Sequence, residues 1–118
     1  MNSTKISAVA LVCGLLMLPS AAFAHAHLLS STPAANATVH GGDVAFELRF
    51  NSRVDGHRSV LTLVTGDGHA QALTMGNQSA ETNLNAHATL TPGSYTLRWQ
   101  ALSTDGHITR GEIPFSVR

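Results

Sequence analysis

The chain has 118 residues, with seven basic and seven acidic side chains, no formal net charge, seven histidines and a single cysteine. Without a basic excess, nothing in the composition points to nucleic acid or to an anionic membrane surface. One cysteine cannot form an internal disulfide, and the length suits one domain with a modest core.

The first 24 residues read as a cleavable secretory signal helix. Lys5 supplies the positive start, residues 6–18 the apolar run, and Pro19-Ser20 the break. Ala22-Phe23-Ala24 then places small residues at the two positions a signal peptidase reads. The apolar run is shorter than the ~20 residues a spanning helix needs. Cleavage is therefore expected between Ala24 and His25, leaving residues 25–118 as one exported, soluble domain. Cys13 leaves with the signal, and Val12 before it is wrong for a lipid-attachment pattern. The mature stretch has six basic residues against seven acids. With no disulfide, its stability has to come from packing, or partly from a bound metal.

The mature chain reads as all-β. Val44, Phe46, Leu48 and Phe50 alternate with Ala45, Glu47, Arg49 and Asn51, the period-two pattern of a strand with one buried face. Residues 59–65 are rich in β-branched and apolar side chains, and Gly66-Asp67-Gly68 follows with turn chemistry. Residues 69–74 are the expected return strand. Residues 75–85 turn small and polar and read as a loop. After a strand over 86–90, Pro92-Gly93 suits a type II turn. Tyr95, Leu97, Trp99 and Ala101 alternate again, and the last strand sets Ile113, Phe115 and Val117 on one face. Pro114 cannot donate to a ladder, so this strand is expected at an edge or with a bulge. About seven short strands in this length predict a Greek-key β-sandwich or barrel of immunoglobulin-like size. No internal repeat stands out.

Two places carry metal chemistry. At the mature N-terminus, His25 would offer an α-amine and an imidazole from one residue, with His27 two positions on. Thr104-Asp105-Gly106-His107 lies between the last two strands and presents a carboxylate and an imidazole two residues apart, on one side of an extended backbone. If the terminus packs beside this loop, the donors are the His25 amine and imidazole, the His107 imidazole and an Asp105 oxygen. Three nitrogens and one oxygen in a planar array suit Cu(II). While residues 1–24 remain attached, the His25 nitrogen is an amide and the set is incomplete.

These residues carry a family resemblance. His25-Ala26-His27-Leu28 with Ser31-Thr32-Pro33-Ala34 resembles the mature start of the CopC family of periplasmic copper-binding proteins. Tyr95, Trp99, Ser103, Asp105-Gly106-His107, Gly111, Phe115 and Val117 resemble its C-terminal signature, and Phe50-Asn51-Ser52 with Val54 its central strand end. The resemblance implies a cupredoxin-like or immunoglobulin-like β-barrel that holds Cu(II) through a histidine brace made by His25, Asp105 and His107, with His27 an optional participant. It also implies a periplasmic role in copper homeostasis or resistance and a membrane copper-transport partner of the CopD type. Some members bind Cu(I) through a methionine-rich loop. Met75 is the one methionine left in residues 25–118, so a Cu(II)-only protein is expected.

Plainer readings stand beside these. His40, His57, His69 and His87 are expected as ordinary surface histidines, and Trp99 and Tyr95 as core and corner residues. Asp105-Gly106 alone would read as a turn. Two other classes of function remain: a metal-free immunoglobulin-like interaction module, which leaves the terminal histidine unexplained, and an oxidative copper enzyme. The second needs an open coordination position, which Asp105 would crowd, so no catalytic residue is assigned.

Overall fold

The computed structural model describes residues 25–118; the predicted signal segment lies outside them. Eight strands form among the described residues: β1 (Leu28–Thr32), β2 (Thr38–Val39), β3 (Gly42–Phe50), β4 (Val60–Thr65), β5 (Ala70–Ala72), β6 (Asn83–Leu90), β7 (Gly93–Leu102) and β8 (Ile108–Val117). They build two sheets, ordered β1-β3-β6 and β2-β8-β7-β4-β5. The all-β sandwich expected from the sequence is what forms, with one strand more than counted. β1 and β2 are the strands without a counterpart in the sequence pattern; β2 is two residues long and pairs parallel to the end of β8.

Period-two patterning decides which faces meet. Val44, Phe46, Leu48 and Phe50 of β3 turn inward, opposed by Leu61 and Leu63 of β4, Leu97, Trp99 and Ala101 of β7, and Ile113, Phe115 and Val117 of β8. Phe46 packs edge-on to Phe115, and Phe50 edge-on to Trp99, at centroid separations of 5.8 and 5.3 Å, in the geometry aromatic quadrupoles favour. Tyr95 stacks on Phe115 and donates its hydroxyl to the Thr91 carbonyl at 2.6 Å. That upstream bond is the corner role expected of it.

Two local expectations change and a third holds. β6 starts at Asn83, inside the stretch read as loop, because Asn83 is buried and its amide reaches Ser79 and Glu47. Pro92-Gly93 does join β6 to β7, but Gly93 has φ 156°, far from the roughly +80° of a type II turn. β8 is an edge over most of its length and is flanked by β2 only at Ser116 and Val117. Pro114 thus precedes the covered part, and its carbonyl accepts from Asn36 N at 2.6 Å while its nitrogen needs no partner.

Gly111 lies opposite Trp99 in the β7–β8 register. A Cβ built there would stand 2.5 Å from the indole, so the ring is seated on bare backbone. Gly111→Ala is expected to cost about 1–3 kcal/mol through overpacking. Urea unfolding followed by the fluorescence of Trp99, the sole tryptophan, measures it, and unchanged stability would mean the indole does not occupy that seat.

Candidate metal centre

The β7–β8 connection is a five-residue turn over 103–107. Ser103 N donates to the His107 carbonyl at 2.8 Å and Gly106 N to the Ser103 carbonyl at 2.9 Å. Gly106 takes φ 92°, a left-handed conformation open to glycine at little cost. Ser103 is buried, and its hydroxyl donates to Asp105 Oδ1, which also receives His107 N at 3.3 Å. One carboxylate oxygen is thereby committed to the turn. The other, Oδ2, lies 3.0 Å from His107 Nδ1. The Ser103 hydroxyl is the main cause that holds the Asp105 carboxyl below the usual carboxylate range; burial opposes it, and the His107 amide and ring add to the lowering.

The N-terminal segment comes to the same end of the sandwich. Ala26 is 1% exposed and belongs to the core, whereas His25 and His27 on either side are exposed. His27 is fixed at both backbone groups, its N–H donating to Asn51 Oδ1 at 2.7 Å and its carbonyl accepting from Asn51 N at 3.0 Å. The Ala26 carbonyl accepts from Thr109 Oγ1 at 3.0 Å. With the segment so held, the His25 ring meets the His107 ring edge-on at a centroid distance of 4.5 Å.

Of the predicted site residues, His25, Asp105 and His107 therefore come together from opposite ends of the described chain. His27 makes no ring contact with them among the described residues. Nor do the described residues contain a group of three or more His, Cys, Asp or Glu side chains already arranged to hold a metal. Chemically the pair at 3.0 Å serves two states. With Nδ1 protonated it is a charge-assisted hydrogen bond that leaves Nε2 free. With the proton gone, it is near the roughly 2.8 Å that separates adjacent donors at right angles about a metal with bonds of about 2.0 Å.

The other histidines, His40, His57, His69 and His87, are all exposed, as expected. His57 lines a cavity of about 190 Å³ with half-buried Met75. His69 holds a surprise, because Thr65-Gly66-Asp67-Gly68-His69 folds as a second copy of the 103–107 turn. Thr65 N donates to the His69 carbonyl at 2.9 Å, Gly68 N to the Thr65 carbonyl at 2.9 Å, and the Thr65 hydroxyl to Asp67 Oδ1. Gly68 has φ 93°. The sequence signal was present as Ser/Thr two residues before each Asp-Gly-His, and it passes unnoticed when His69 is read alone. The copies sit at opposite ends of β7, since Thr65 pairs with Tyr95 whereas Ser103 follows Leu102. At the second copy the nearest approach is His69 Nε2 to Asp67 Oδ2 at 3.9 Å, both side chains largely exposed.

A small two-sheet sandwich with imidazoles and a carboxylate gathered at one pole, beside its N-terminal segment, is the class that fold and site define. The chain belongs to the CopC family, whose domain model matches residues 28–118. Protein YobA of Escherichia coli strain K12 is 34% identical over 94% of this chain and 92% of that protein. Copper resistance protein C of Pseudomonas syringae pv. tomato is 29% identical over 97% of each. Copper transport protein CutJ of Bacillus subtilis is 26% identical, with the match spanning 21% of its length. Among solved structures, CopC from Methylosinus trichosporium OB3b superposes with a TM-score of 0.72 at 27% identity, covering 79% of this chain and 93% of that one. The family is one of copper-binding and copper-resistance proteins, not of enzymes.

Asp55, Asp67 and Asp105 all have carboxyl groups held below the usual range by hydrogen bonds, from the Arg58 and His57 amides, from Thr65 and from Ser103 foremost. A carboxyl depressed in the folded state adds stability above its unfolded pKa, and that contribution disappears as pH falls through the folded one. The thermal midpoint is therefore expected to drop as pH is lowered from about 5 to about 2. Asp67→Asn and Asp105→Asn should each flatten that drop; midpoints that track the parent at every pH would show that the turns do not hold these carboxylates.

Proposed function

We propose that this protein binds Cu(II) in the periplasm through a histidine brace that exists once residues 1–24 are removed, and that it buffers or delivers copper for homeostasis or resistance. The ligands are the His25 α-amine and imidazole, the His107 imidazole and Asp105. The observation that carries this reading is the approach of the His25 and His107 rings, 4.5 Å between centroids, with Asp105 3.0 Å from His107. Nitrogen donors with a carboxylate favour Cu(II), whereas Cu(I) prefers thioethers, and Met75 is the sole methionine of residues 25–118. Uptake and release occur by ligand exchange with no chemical step. A membrane copper transporter of the CopD type is the proposed recipient or donor.

The terminus decides the case. Protein starting at His25 is compared with protein carrying one extra residue before it, each competed against a Cu(II) chelator. The extra residue turns the amine into an amide and leaves every side chain in place. Affinity is expected to fall on the order of 100-fold, at or beyond the 10–100-fold that follows loss of a ligand's outer partner. Equal affinities would overturn the brace. His107→Ala should lose affinity on a similar scale, and His69→Ala, in the duplicate turn, should lose none.

Proton competition gives a second test. An α-amine and imidazoles bind metal only after losing their protons, while the Asp105 carboxyl, held low, is already ionised. Apparent Cu(II) affinity is therefore expected to weaken as pH is lowered from about 8 to about 5. A flat profile in a chelator titration corrected for the chelator's own protonation would exclude an amine-bearing site.

A further inference from the structure

The two halves of the proposed donor set sit on different sheets. The N-terminal segment leads into β1 of the three-stranded sheet, and His107 leads into β8 of the five-stranded one. Packing of the sheets fixes their spacing only coarsely, and the ladder of β1 begins at Leu28, paired with Phe50, beyond the residues that matter. A terminus left free at that point frays.

Residues 26 and 27 are nonetheless tied down at four points. The Ala26 side chain is in the core; Asn51 takes both backbone groups of His27; and Thr109 donates its hydroxyl to the Ala26 carbonyl. These ties differ in kind. Asn51 directly follows β3, so its bonds hold the segment to its own sheet. Thr109 lies on β8, two residues after His107, and its side-chain hydrogen bond joins the N-terminal segment to the strand that His107 leads into. Thr109 pairs with Ala101, one pair from the closed end of the hairpin, where the 103–107 turn sits.

We propose that Thr109 is a positioning residue for copper binding, whose hydroxyl sets the distance between the His25 and His107 halves of the site across the gap between the sheets. The proposal rests on the brace reading given above. Thr109 touches no donor atom; it acts through the Ala26 carbonyl, one peptide unit from His25. Multidentate binding tolerates errors of only about 0.5 Å in donor placement, so a tether one residue from His25 and two from His107 holds the chelate preorganised. Without it the metal must itself order the segment, and affinity falls by the entropy of doing so.

The test uses protein beginning at His25. Thr109→Val removes the hydroxyl and keeps the shape, and Thr109→Ser keeps the hydroxyl. Cu(II) affinity is read by chelator competition, the coordination by electron paramagnetic resonance, and the metal-free fold by its thermal midpoint. The valine variant is expected to bind about 5- to 10-fold more weakly, the range spanned by one lost neutral hydrogen bond and one lost outer-sphere contact. The serine variant should recover parental affinity. In a His107→Ala background, Thr109→Val should cost nothing further, since there is no second half to be spaced. Unchanged affinity in the valine variant, failure of serine to rescue, or an equal loss with His107 absent would each overturn the proposal. Thr109→Ala provides the same comparison should valine crowd the segment enough to unfold it. If the one-residue extension also leaves affinity unchanged, the brace reading falls and this one with it. If the extension weakens binding but Thr109→Val does not, the role of Thr109 alone is wrong.

Discussion

Ala26 is buried to 1% exposure between two exposed histidines, and on that one buried methyl the rest of the site depends. A strand lead-in with its small residue in the core has no freedom to rotate, so the residues before and after it must face outward. Alternation across an extended backbone is the same rule that builds β3, β7 and β8. Here it acts on the end of the domain and converts a terminus into a fixed donor. The hydrogen bonds from Asn51 and Thr109 then close the remaining freedom of the backbone. A larger residue at position 26 would have to displace the core or lift His25 away from His107.

The duplicated turn separates local from tertiary causes. Residues 65–69 and 103–107 share their backbone bonds, their left-handed glycine and their hydroxyl-to-carboxylate contact. Ser/Thr-x-Asp-Gly-His is thus first a device for turning a hairpin, with the aspartate accepting from a side-chain hydroxyl and a backbone N–H, as such residues do in turns. What distinguishes the 103–107 copy is its neighbour. His107 has another imidazole 4.5 Å away, and the His69 ring makes no such contact among the described residues. Motif and site coincide at 103–107 because the fold delivers the N-terminal segment to that pole and not to the other.

Much of the fold was legible because buried strands advertise themselves by period two, and Phe46, Leu48, Leu97 and Phe115 are all where that pattern puts them. Misreadings arose where polar residues do core work. Asn83 is buried in a network with Ser79 and Glu47, and Gln78 spans the Val54 and Asn83 carbonyls from what reads as a featureless polar loop. Hydrophobicity cannot report such positions. β1 and β2 escaped because the first buries no alternating face and the second is two residues long. At the site, residue types and spacing named His25, Asp105 and His107 as compatible donors, but their meeting was conditional until family resemblance joined the two ends of the chain. Thr109 gave no signal, since its bond spans 83 residues and a lone threonine on a strand is unremarkable in sequence; Asn51 entered the family resemblance, but its bond to residue 27, spanning 24 residues, was not legible.

On the proposed reading, processing and metal competence are one event. In the unprocessed chain the His25 nitrogen is an amide, which has no lone pair to give at neutral pH, and the side chains of the described residues alone leave no group of three arranged for a metal. The fold can nevertheless form in advance, because none of the contacts that place residue 26 uses the amine. Cleavage then exposes a donor already in position, so the gain in affinity needs no rearrangement of the domain. The free energy that would otherwise go into ordering a flexible terminus around the ion has been supplied by Ala26 burial and the bonds from Asn51 and Thr109 during folding. Copper capture of this kind is switched on by export and is limited thereafter by ligand exchange rather than by conformational change.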